Sequence, residues 1–351
     1  MGHRFVLVTQ ILLGCSALTG CRGEVLLQEP SDRSGQASTP AASTPVTGSS
    51  GTSTGVTVAS HACVASVPPG TQLPIPGLQP SYTIAADGAY VYLPAAGSGP
   101  TYLVQRISVA DCSMVTLNPY GGAGTWGLIA LDATHVYSAN GTSVVSCPKT
   151  GCPGASGMAI ESGFDVWGLT VSSGYVYFSG FKDSDGLSRV AVDGGPVQQL
   201  VATGVGTSDV LVAGGNVIYS TGNGRVSTVP IAGGASTLLY ATPDGSGVNS
   251  FVASATDLYL GVNSGNVLRL PLGGGQPTTI ATNQGNPQLA IDDANLYWTS
   301  ATGGSSRIRK MALGGTSIAD LLTGGAGLWS LAIDDAYVYF TCAGLVCAVP
   351  K

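Results

Sequence analysis

A short pattern recurs along this chain at intervals of 38 to 45 residues. The pattern runs apolar, Ala, apolar, Asp, then a tight turn, then an apolar residue and a Tyr, and its clearest copies are Leu289–Trp298 and Leu331–Phe340. Seven tyrosines mark the copies: Tyr92, Tyr137, Tyr177, Tyr219, Tyr259, Tyr297 and Tyr339. A fixed period of this length indicates a repeat architecture, in which each unit buries its apolar face against its neighbours.

Each unit has room for four short strands. The first two form the hairpin just described, a third follows the Tyr, as in Asn266–Leu272, and a fourth follows a Gly-Gly turn, as in Thr278–Ala281. The 52 glycines among 351 residues suit a chain with many tight turns. Four strands in a unit of about 40 residues are typical of a β-propeller blade. The sequence therefore predicts an all-β, seven-bladed β-propeller with four-stranded blades.

The last copy is too short to hold its own fourth strand. After Tyr339 the chain has room for one further strand, Gly344–Pro350. Thr71–Leu73 stands before the first hairpin as Thr278–Ile280 stands before the sixth. We therefore expect an N-terminal strand to complete the last blade and close the ring.

Two further positions repeat together with the Tyr. Five residues before it stands a residue that suits the first corner of a hairpin: Asp87, Asp132, Ser172, Gly214, Ser254, Asp292 and Asp334. Because the acidic pairs Asp292-Asp293 and Asp334-Asp335 recur at this corner, a structural role is favoured over paired catalytic carboxylates. Four basic residues share one position on the third strand and predict a solvated or inter-blade polar row: Arg106, Arg189, Arg269 and Lys310.

One blade carries letters of a known repeat. Tyr297-Trp298-Thr299-Ser300, followed by Arg307–Gly315, resembles the YWTD-type, NHL and Tol-B-like β-propellers. The resemblance covers residues 71–351 and rests on motifs that mark the fold, so it implies a propeller and no catalytic residues. Since this chain has seven repeat tyrosines where the YWTD pattern has six blades, the calcium and ligand sites of that family are not carried over.

The N-terminus has the features of an export signal. His3 and Arg4 precede the apolar run Phe5–Leu13, which is too short to span a bilayer as a helix. Leu18-Thr-Gly-Cys21 matches the bacterial lipobox, and in the proteins it resembles this Cys is acylated and becomes the first residue of the mature chain. The sequence predicts a lipoprotein signal peptide over 1–20 and a lipid anchor on Cys21; an ordinary signal peptide cut near Ala17 or Gly20 is the alternative.

The segment that follows is predicted to be a tether. Ser, Thr, Gly, Pro and Ala dominate it up to Val58, and such a composition buries too little apolar area to offset the entropy of ordering. The predicted domains are therefore 1–20, the lipidated tether 21–58, and the propeller 59–351. Arg22 follows the lipobox where proteins kept in the inner membrane often carry Asp. We expect an exported, membrane-anchored lipoprotein at the outer membrane or the cell surface.

The charge balance bears on the class of partner. The chain has 13 basic and 19 acidic residues, and removal of 1–20 takes away Arg4 alone, which leaves a formal charge of −7. Nucleic-acid binding needs Lys and Arg clustered on one face. We therefore predict no nucleic-acid partner and expect the membrane, through the lipid anchor, together with an unknown protein, peptide or glycan.

Six cysteines remain besides Cys15 in the signal peptide and Cys21. An even number in an exported chain predicts disulfides. Local spacing pairs Cys147 with Cys152 and Cys342 with Cys347, and the remaining pair, Cys63 with Cys112, would fasten the seam of the ring. A zinc site is the alternative, although neither local pair has the usual Cys-x2-Cys spacing.

Acid–base chemistry has few candidates in this chain. The mature protein has two histidines, and His61 precedes the ring while His135 lies in a strand of the second blade, so they are not expected to meet. We predict no catalytic residue, no metal ligand and no cofactor. An enzyme of the lyase or quinone-dependent type that uses the central channel is the alternative.

Aromatic residues that occur in only four of the seven repeats indicate a binding face. Aromatic residues stand just before the innermost strands of blades 1, 2, 3 and 7, which are neighbours around the ring: Tyr82, Trp126, Trp167 and Trp329. Aromatic rings at the mouth of a channel can stack on sugars, peptides or proteins, although packing between blades also explains them. The leading hypothesis is a non-enzymatic binding or scaffold module; a purely structural envelope component is the other alternative.

Overall fold

The computed structural model describes residues 72–73, 83–96, 102–118, 127–141, 143–152, 158–161, 165–180, 186–202, 207–325, 327–342 and 345–351. The chain divides into two units, Met1–Val56 and Thr57–Lys351, and every described residue lies in the second. The predicted signal peptide, Cys21 and the tether therefore lie outside the described residues.

The described residues form seven four-stranded antiparallel sheets. From the inner to the outer strand, blade 1 contains β2 (Ala85–Ala86), β3 (Tyr90–Ala96), β4 (Tyr102–Ser108) and β5 (Met114–Asn118). Blade 2 contains β6 (Leu128–Leu131), β7 (His135–Asn140), β8 (Ser143–Pro148) and β9 (Met158–Glu161). Blade 3 contains β10 (Val166–Ser172), β11 (Tyr175–Gly180), β12 (Leu187–Ala191) and β13 (Gln198–Val201).

The remaining blades repeat this order. Blade 4 contains β14 (Thr207–Ala213), β15 (Asn216–Thr221), β16 (Arg225–Pro230) and β17 (Thr237–Ala241). Blade 5 contains β18 (Val248–Ala253), β19 (Asp257–Val262), β20 (Val267–Pro271) and β21 (Thr278–Ala281). Blade 6 contains β22 (Leu289–Ile291), β23 (Asn295–Thr302), β24 (Ser305–Ala312) and β25 (Ile318–Gly325). Blade 7 contains β26 (Leu331–Ile333), β27 (Tyr337–Cys342), β28 (Leu345–Pro350) and, as its outer strand, β1 (Gln72–Leu73).

The sheets close into a ring. Each innermost strand contacts the innermost strand of the next blade, and β26 of blade 7 contacts β2 of blade 1. The predicted closing strand is confirmed, because β1 pairs antiparallel with β28, with Gln72 opposite Cys347 and Leu73 opposite Val346. The fold is therefore the predicted seven-bladed β-propeller. Within the described ranges there are no helices, and accordingly no helix long and apolar enough to cross a membrane.

The apolar core is divided among the contacts between blades. Each of seven clusters of buried side chains in the described part of the chain is shared by two adjacent blades. Between blades 5 and 6, for example, Tyr259 packs with Leu296 and Trp298. Trp298, the Trp of the YWTD-like letters, is fully buried and donates through Nε1 to Gln284 at 3.0 Å. Burial of apolar faces between blades therefore stabilises the ring.

The repeated Asp and Tyr form one hydrogen-bonded motif. In blade 2, Asp132 accepts the backbone N–H groups of Thr134 and His135 through Oδ1, and accepts the hydroxyl of Tyr137 through Oδ2 at 2.7 Å. Blades 1, 6 and 7 repeat the arrangement with Asp87–Tyr92, Asp292–Tyr297 and Asp334–Tyr339. The predicted hairpin corner is thus confirmed in these blades, and its Asp serves the turn.

Blade 4 departs from the predicted alignment by one residue. In blade 3 the turn pair is Ser172 opposite Tyr175, two residues before Tyr177. In blade 4 the turn pair is Ala213 opposite Asn216, so Ile218 occupies the repeat position and Tyr219 follows it. The choice of Tyr219 as the repeat residue was therefore wrong. Its hydroxyl lies 2.5 Å from Ser236 Oγ, and an apolar side chain fills the position that Tyr holds elsewhere.

Glycine pairs form the turns between the third and fourth strands. Gly233 and Gly234 have φ angles of +88° and +136°, which L side chains rarely adopt. The same positive pair occurs at Gly194-Gly195 and Gly274-Gly275. Part of the unusual glycine content is therefore a requirement of the repeated turn.

The cysteines follow the prediction where they are described. Cys147 and Cys152 form a disulfide with their Cα atoms 5.3 Å apart. Cys112 and Cys347 are each bonded in a disulfide as well. Cys63 and the side chain of Cys342 lie outside what the structure describes, so the pairings Cys63–Cys112 and Cys342–Cys347 stay predictions.

Candidate functional site

Trp329 is the most exposed large hydrophobic side chain in the described part of the chain. It lies in the connection that leads into β26, the innermost strand of blade 7, and 51% of its surface is accessible. Connections of this kind lie on one face of the ring, here called the entry face, together with the turns between the second and third strands. A tryptophan that remains so exposed presents a large, rigid contact surface to a partner.

Trp167 holds the corresponding position of blade 3. It directly precedes Gly168 as Trp329 directly precedes Ser330, and it is half-buried. Tyr82 and Trp126 lie outside the described residues, so their part in an aromatic arc stays a prediction. The structure therefore places two of the four predicted aromatics at equivalent points of the ring and shows one of them to be largely open to solvent.

Hydrogen bonds between blades fix the strand entrances behind these aromatics. Ser330 Oγ of blade 7 accepts the backbone N–H of Ile84 in blade 1 at 3.1 Å. Ser250 Oγ of blade 5 accepts the N–H of Leu289 in blade 6, also at 3.1 Å. Each of these bonds ties the entrance of one innermost strand to that of the next blade, and the first involves the residue that directly follows Trp329.

Asp209 occupies the same inner position in blade 4. Its carboxylate accepts its neighbour Val210 N–H at 2.9 Å and a backbone hydrogen bond from Phe251 in blade 5. Protein atoms surround the carboxyl group, and this desolvation outweighs both hydrogen bonds and raises its pKa to about 7. The residue as a whole is half-buried, so the accessible surface lies away from the carboxyl group. Sequence reasoning missed Asp209, although comparison of the repeats shows an acid where Gly168, Ser250 and Ser330 stand.

His135 is the one histidine among the described residues. His135 Nδ1 lies 2.8 Å from Thr134 Oγ1 and the ring packs near Tyr137, in the corner of the first hairpin of blade 2. In the described ranges, no three His, Cys, Asp or Glu side chains lie close enough together to hold a metal ion.

A separate candidate site lies on the opposite face of the ring, which carries the turns of the first hairpins. A cavity of about 520 Å³ opens between blades 5 and 6 and is named here the blade 5–6 cleft. Its lining includes Asp257, Tyr259 and Arg269 of blade 5, and Asp293 and Leu313 of blade 6. Its volume lies in the range of small-ligand sites. The sequence analysis did not single out this cleft, because Arg269 was predicted only as one member of a polar row.

The polar row itself is confirmed in two blades as an inter-blade contact. Arg106 and Arg189 each lie opposite the repeat Tyr and donate through Nη1 to a backbone carbonyl of the next blade, at Lys149 and Ile231 respectively. Each guanidinium also stacks 4.3 Å from the ring centroid of a Tyr at the start of the second strand, Tyr90 or Tyr175. Arg269 and Lys310 lie at the same place on the third strand but make other contacts.

Comparison with known proteins supports the β-propeller fold but assigns neither a family nor an activity. No protein-family model matches the chain, and no curated protein matches its sequence. The WD40 repeats of RRP9 superpose with a TM-score of 0.62 at 12% identity, covering 80% of this chain and 97% of that one. The WD40 propeller domain of Doa1 gives 0.62 at 12% identity, covering 81% and 96%.

A bacterial protein also shares the fold. PorZ, described as an essential surface component of the type-IX secretion system of Porphyromonas gingivalis, superposes with a TM-score of 0.59 at 13% identity. The match covers 79% of this chain and 37% of that one. At such identities the likeness shows a β-propeller and does not assign a repeat type or an activity.

Proposed function

We propose that this protein is a lipid-anchored propeller of the bacterial envelope or cell surface that binds a protein, peptide or glycan without catalysing a reaction. The binding face is the entry face, with Trp329 and Trp167 as aromatic contacts and Tyr82 and Trp126 as the further members of the arc. The observation that carries the proposal is the 51% exposure of Trp329 at the entrance to an innermost strand.

The construction of the ring supports recognition. Seven inter-blade cores hold the sheets, and side-chain hydrogen bonds such as Ser330–Ile84 fix the inner strand entrances. A rigid scaffold that carries connecting loops is the common arrangement for binding sites. An exposed Trp on such a scaffold loses little conformational entropy when a partner covers it, so it can contribute strongly to affinity.

The location is proposed from the N-terminal sequence. The lipobox at Cys21 and the polar segment up to Val58 suit a folded domain held at a distance from a membrane. PorZ shows that a bacterial surface protein can contain a propeller of this shape. The resemblance to YWTD-type, NHL and Tol-B-like repeats belongs to the same proposal, as a description of the repeat type.

The test compares three forms of the full lipoprotein by photo-crosslinking in native envelopes. The first is unmodified, the second carries Trp167→Ala and Trp329→Ala, and the third is a control with Met114→Ala and Leu238→Ala. The control removes two exposed hydrophobic side chains from outer strands, away from the entry face. A glycan array with the same three proteins covers the carbohydrate class.

The proposal expects a ligand that the unmodified and control proteins bind and the tryptophan variant loses. Removal of an aromatic contact at the centre of an interface typically costs about 2 kcal/mol or more, which weakens binding about 30-fold. Equal capture by all three forms, with unchanged unfolding midpoints, would contradict the proposal and indicate that the tryptophans only pack between blades. A ligand lost only in the control would move the binding face to the outer strands.

A further inference from the structure

The blade 5–6 cleft has counterparts in the grooves between other pairs of adjacent blades. Lys149, Lys351 and Leu313 hold one position, directly after the third strand of blades 2, 7 and 6. In each case the backbone N–H of this residue donates to a carbonyl in the first-hairpin turn of its own blade, at 2.8, 3.0 and 2.8 Å. The three side chains therefore point from equivalent places toward the preceding blade.

Two of these grooves are occupied by the chain's own lysines. Lys149 Nζ lies 2.8 Å from Asp87 Oδ2 and 5.6 Å from the ring centroid of Tyr92. Lys351 Nζ lies 2.7 Å from Asp292 Oδ2 and 5.5 Å from the ring centroid of Tyr297. Each lysine thus crosses to the preceding blade and places its ammonium group on a carboxylate and over a repeat Tyr.

The blade 5–6 cleft lacks such a lysine. Leu313 stands at the lysine position, packs against the core cluster that contains the repeat residue Tyr259, and lines the cleft together with it. Blade 5 also lacks an aromatic side chain where blades 1 and 3 have Tyr90 and Tyr175, because Asp257 begins its second strand. The blade 5–6 cleft therefore lacks both the lysine of the blade 1–2 and 6–7 grooves and the Tyr of the blade 1–2 and 3–4 grooves.

Asp257 also changes the direction of the third-strand arginine. Arg269 Nη2 donates to Asp257 Oδ2 at 2.9 Å within blade 5, whereas Arg106 donates to the carbonyl of Lys149 in the next blade. Thr256 Oγ1 donates to the same oxygen of Asp257 at 2.6 Å. The guanidinium group of Arg269 is thus held against blade 5 and does not cross to blade 6, so the space between these two blades stays open.

The lining of the cleft combines acidic and apolar side chains, which suits a positively charged group attached to an aliphatic chain. Three carboxylates, Asp257, Asp292 and Asp293, and one guanidinium, Arg269, line it, and Lys351 offsets Asp292 from the other side. The net charge of these groups is therefore negative. Asp293 is exposed, and its carboxylate has no hydrogen-bond partner among the residues that the structure describes. Ile291 and Leu313 offer apolar surface beside these charges.

We propose that the blade 5–6 cleft binds a primary ammonium group carried on a short aliphatic chain, as on a lysine side chain or a free alkylamine. The stem packs on Leu313 and Ile291, and the ammonium group lies over Tyr259 between the carboxylates of Asp257 and Asp293. Lys149 and Lys351 show the same chemistry in the filled grooves of this chain. The site lies on the face opposite the entry face and does not depend on the function proposed there.

The test uses the full chain and three small probes in ligand-observed NMR and calorimetric titrations. The probes are n-butylammonium chloride, Nα-acetyl-lysine methylamide and its neutral counterpart Nα-acetyl-norleucine methylamide. Leu313→Lys supplies the chain's own lysine and is expected to fill the cleft, since blades 2 and 7 carry Lys at that position. Asp293→Asn removes the uncommitted carboxylate, and Asp335→Asn is the matched control at the equivalent corner of blade 7.

We expect the lysine probe to bind at least about tenfold more tightly than the norleucine probe, because one charge-assisted contact is worth about that factor. Leu313→Lys should abolish the binding, Asp293→Asn should weaken it, and Asp335→Asn should leave it unchanged. Binding of butylammonium as well would identify a free amine as sufficient, whereas binding of the lysine probe alone would identify lysine within a peptide.

Three results would overturn the proposal. The first is equal binding of the lysine and norleucine probes. The second is undiminished binding of the lysine probe to a folded Leu313→Lys protein. The third is tighter binding of acetate or phosphate, titrated in the same way as the three probes, which would assign the cleft to anions held by Arg269. If Leu313→Lys fails to fold, the comparison of Asp293→Asn with Asp335→Asn decides the outcome.

Discussion

Lys351, the last residue of the chain, reaches Asp292 of the neighbouring blade at 2.7 Å, on the same oxygen that accepts the hydroxyl of Tyr297 at 3.0 Å. Burial alone would raise the pKa of Asp292, but Lys351, the two turn amides and Tyr297 outweigh it and lower the pKa to about 2. One carboxylate therefore organises a turn, holds the repeat Tyr and binds the next blade.

Lys351→Met should destabilise the protein by about 1 kcal/mol at pH 7, because it removes a partly buried charge-assisted hydrogen bond. Since the pKa of Asp292 is lower in the folded state, its contribution is present above pH 4 and is lost as the pH falls toward 2. The stability difference between the two proteins should therefore shrink over that interval. Urea unfolding at pH 2.5, 4 and 7 measures it, and a difference that stays constant with pH would contradict the assignment.

Tyr137 and Tyr177 provide a matched pair of substitutions. Both side chains are fully buried at the repeat position, but the Tyr137 hydroxyl donates to Asp132 whereas the Tyr177 hydroxyl has no partner among the described residues. Tyr137→Phe should cost about 1–2 kcal/mol, while Tyr177→Phe should be neutral or stabilising, because a buried hydroxyl without a partner is itself unfavourable. Thermal and chemical unfolding would compare them, and equal losses would refute the distinction.

Asp209→Asn should change how stability depends on pH. Burial raises the pKa of Asp209 to about 7, so ionisation costs more in the folded state than in the unfolded chain. The folded state binds the additional proton between about pH 4 and 7, and its stability falls as the pH rises through that range. The variant should lose this fall and gain up to about 4 kcal/mol relative to the unmodified protein at pH 8. Parallel pH profiles of the two proteins would contradict the shifted pKa.

Cys21→Ser should release the protein from membranes. Acyl chains on Cys21 would hold it there, since each buried methylene contributes about 0.8 kcal/mol. Fractionation of cells that express either protein gives the readout, together with labelling by a clickable fatty acid. Cys15→Ser is the matched control, because Cys15 lies in the predicted signal peptide. Continued membrane retention of an unlabelled Cys21→Ser protein would show that another contact anchors the chain.

The ring was predictable because its determinants are local and repeat. The interval between tyrosines, the Asp at four of the seven corners and the shortened last copy all follow from positions along the chain, and the pairing of Leu73 with Val346 agrees with them. Blade 4 was misaligned because Ile218 replaces the Tyr and Tyr219 lies one residue later. Ile218 is buried just as the repeat tyrosines are, so the residue type at this position changes while the apolar packing is kept.

The candidate sites were less predictable because they depend on the size and charge of side chains from two blades. Trp298 and Trp329 are the same residue type in adjacent blades, yet Trp298 is fully buried and Trp329 is mostly exposed. Likewise, Arg106 and Arg269 share a position, but Asp257 holds Arg269 within its own blade. The pattern at single sequence positions identifies the blades. The open cleft, in contrast, depends on Leu313 and Asp257 standing where a lysine and a tyrosine fill grooves between other blades.

The pairing of β1 with β28 sets the order in which the molecule can form. As the chain is made, blades 1 to 6 can each form from a continuous stretch, but β1 has no partner until Val346 has been synthesised at the far end. Contacts so distant in sequence form late and slowly. The first segment of the propeller to be made is therefore among the last to find its place, and a chain interrupted before Leu345 would leave β1 and the β27 edge of blade 7 unpaired and open to other molecules.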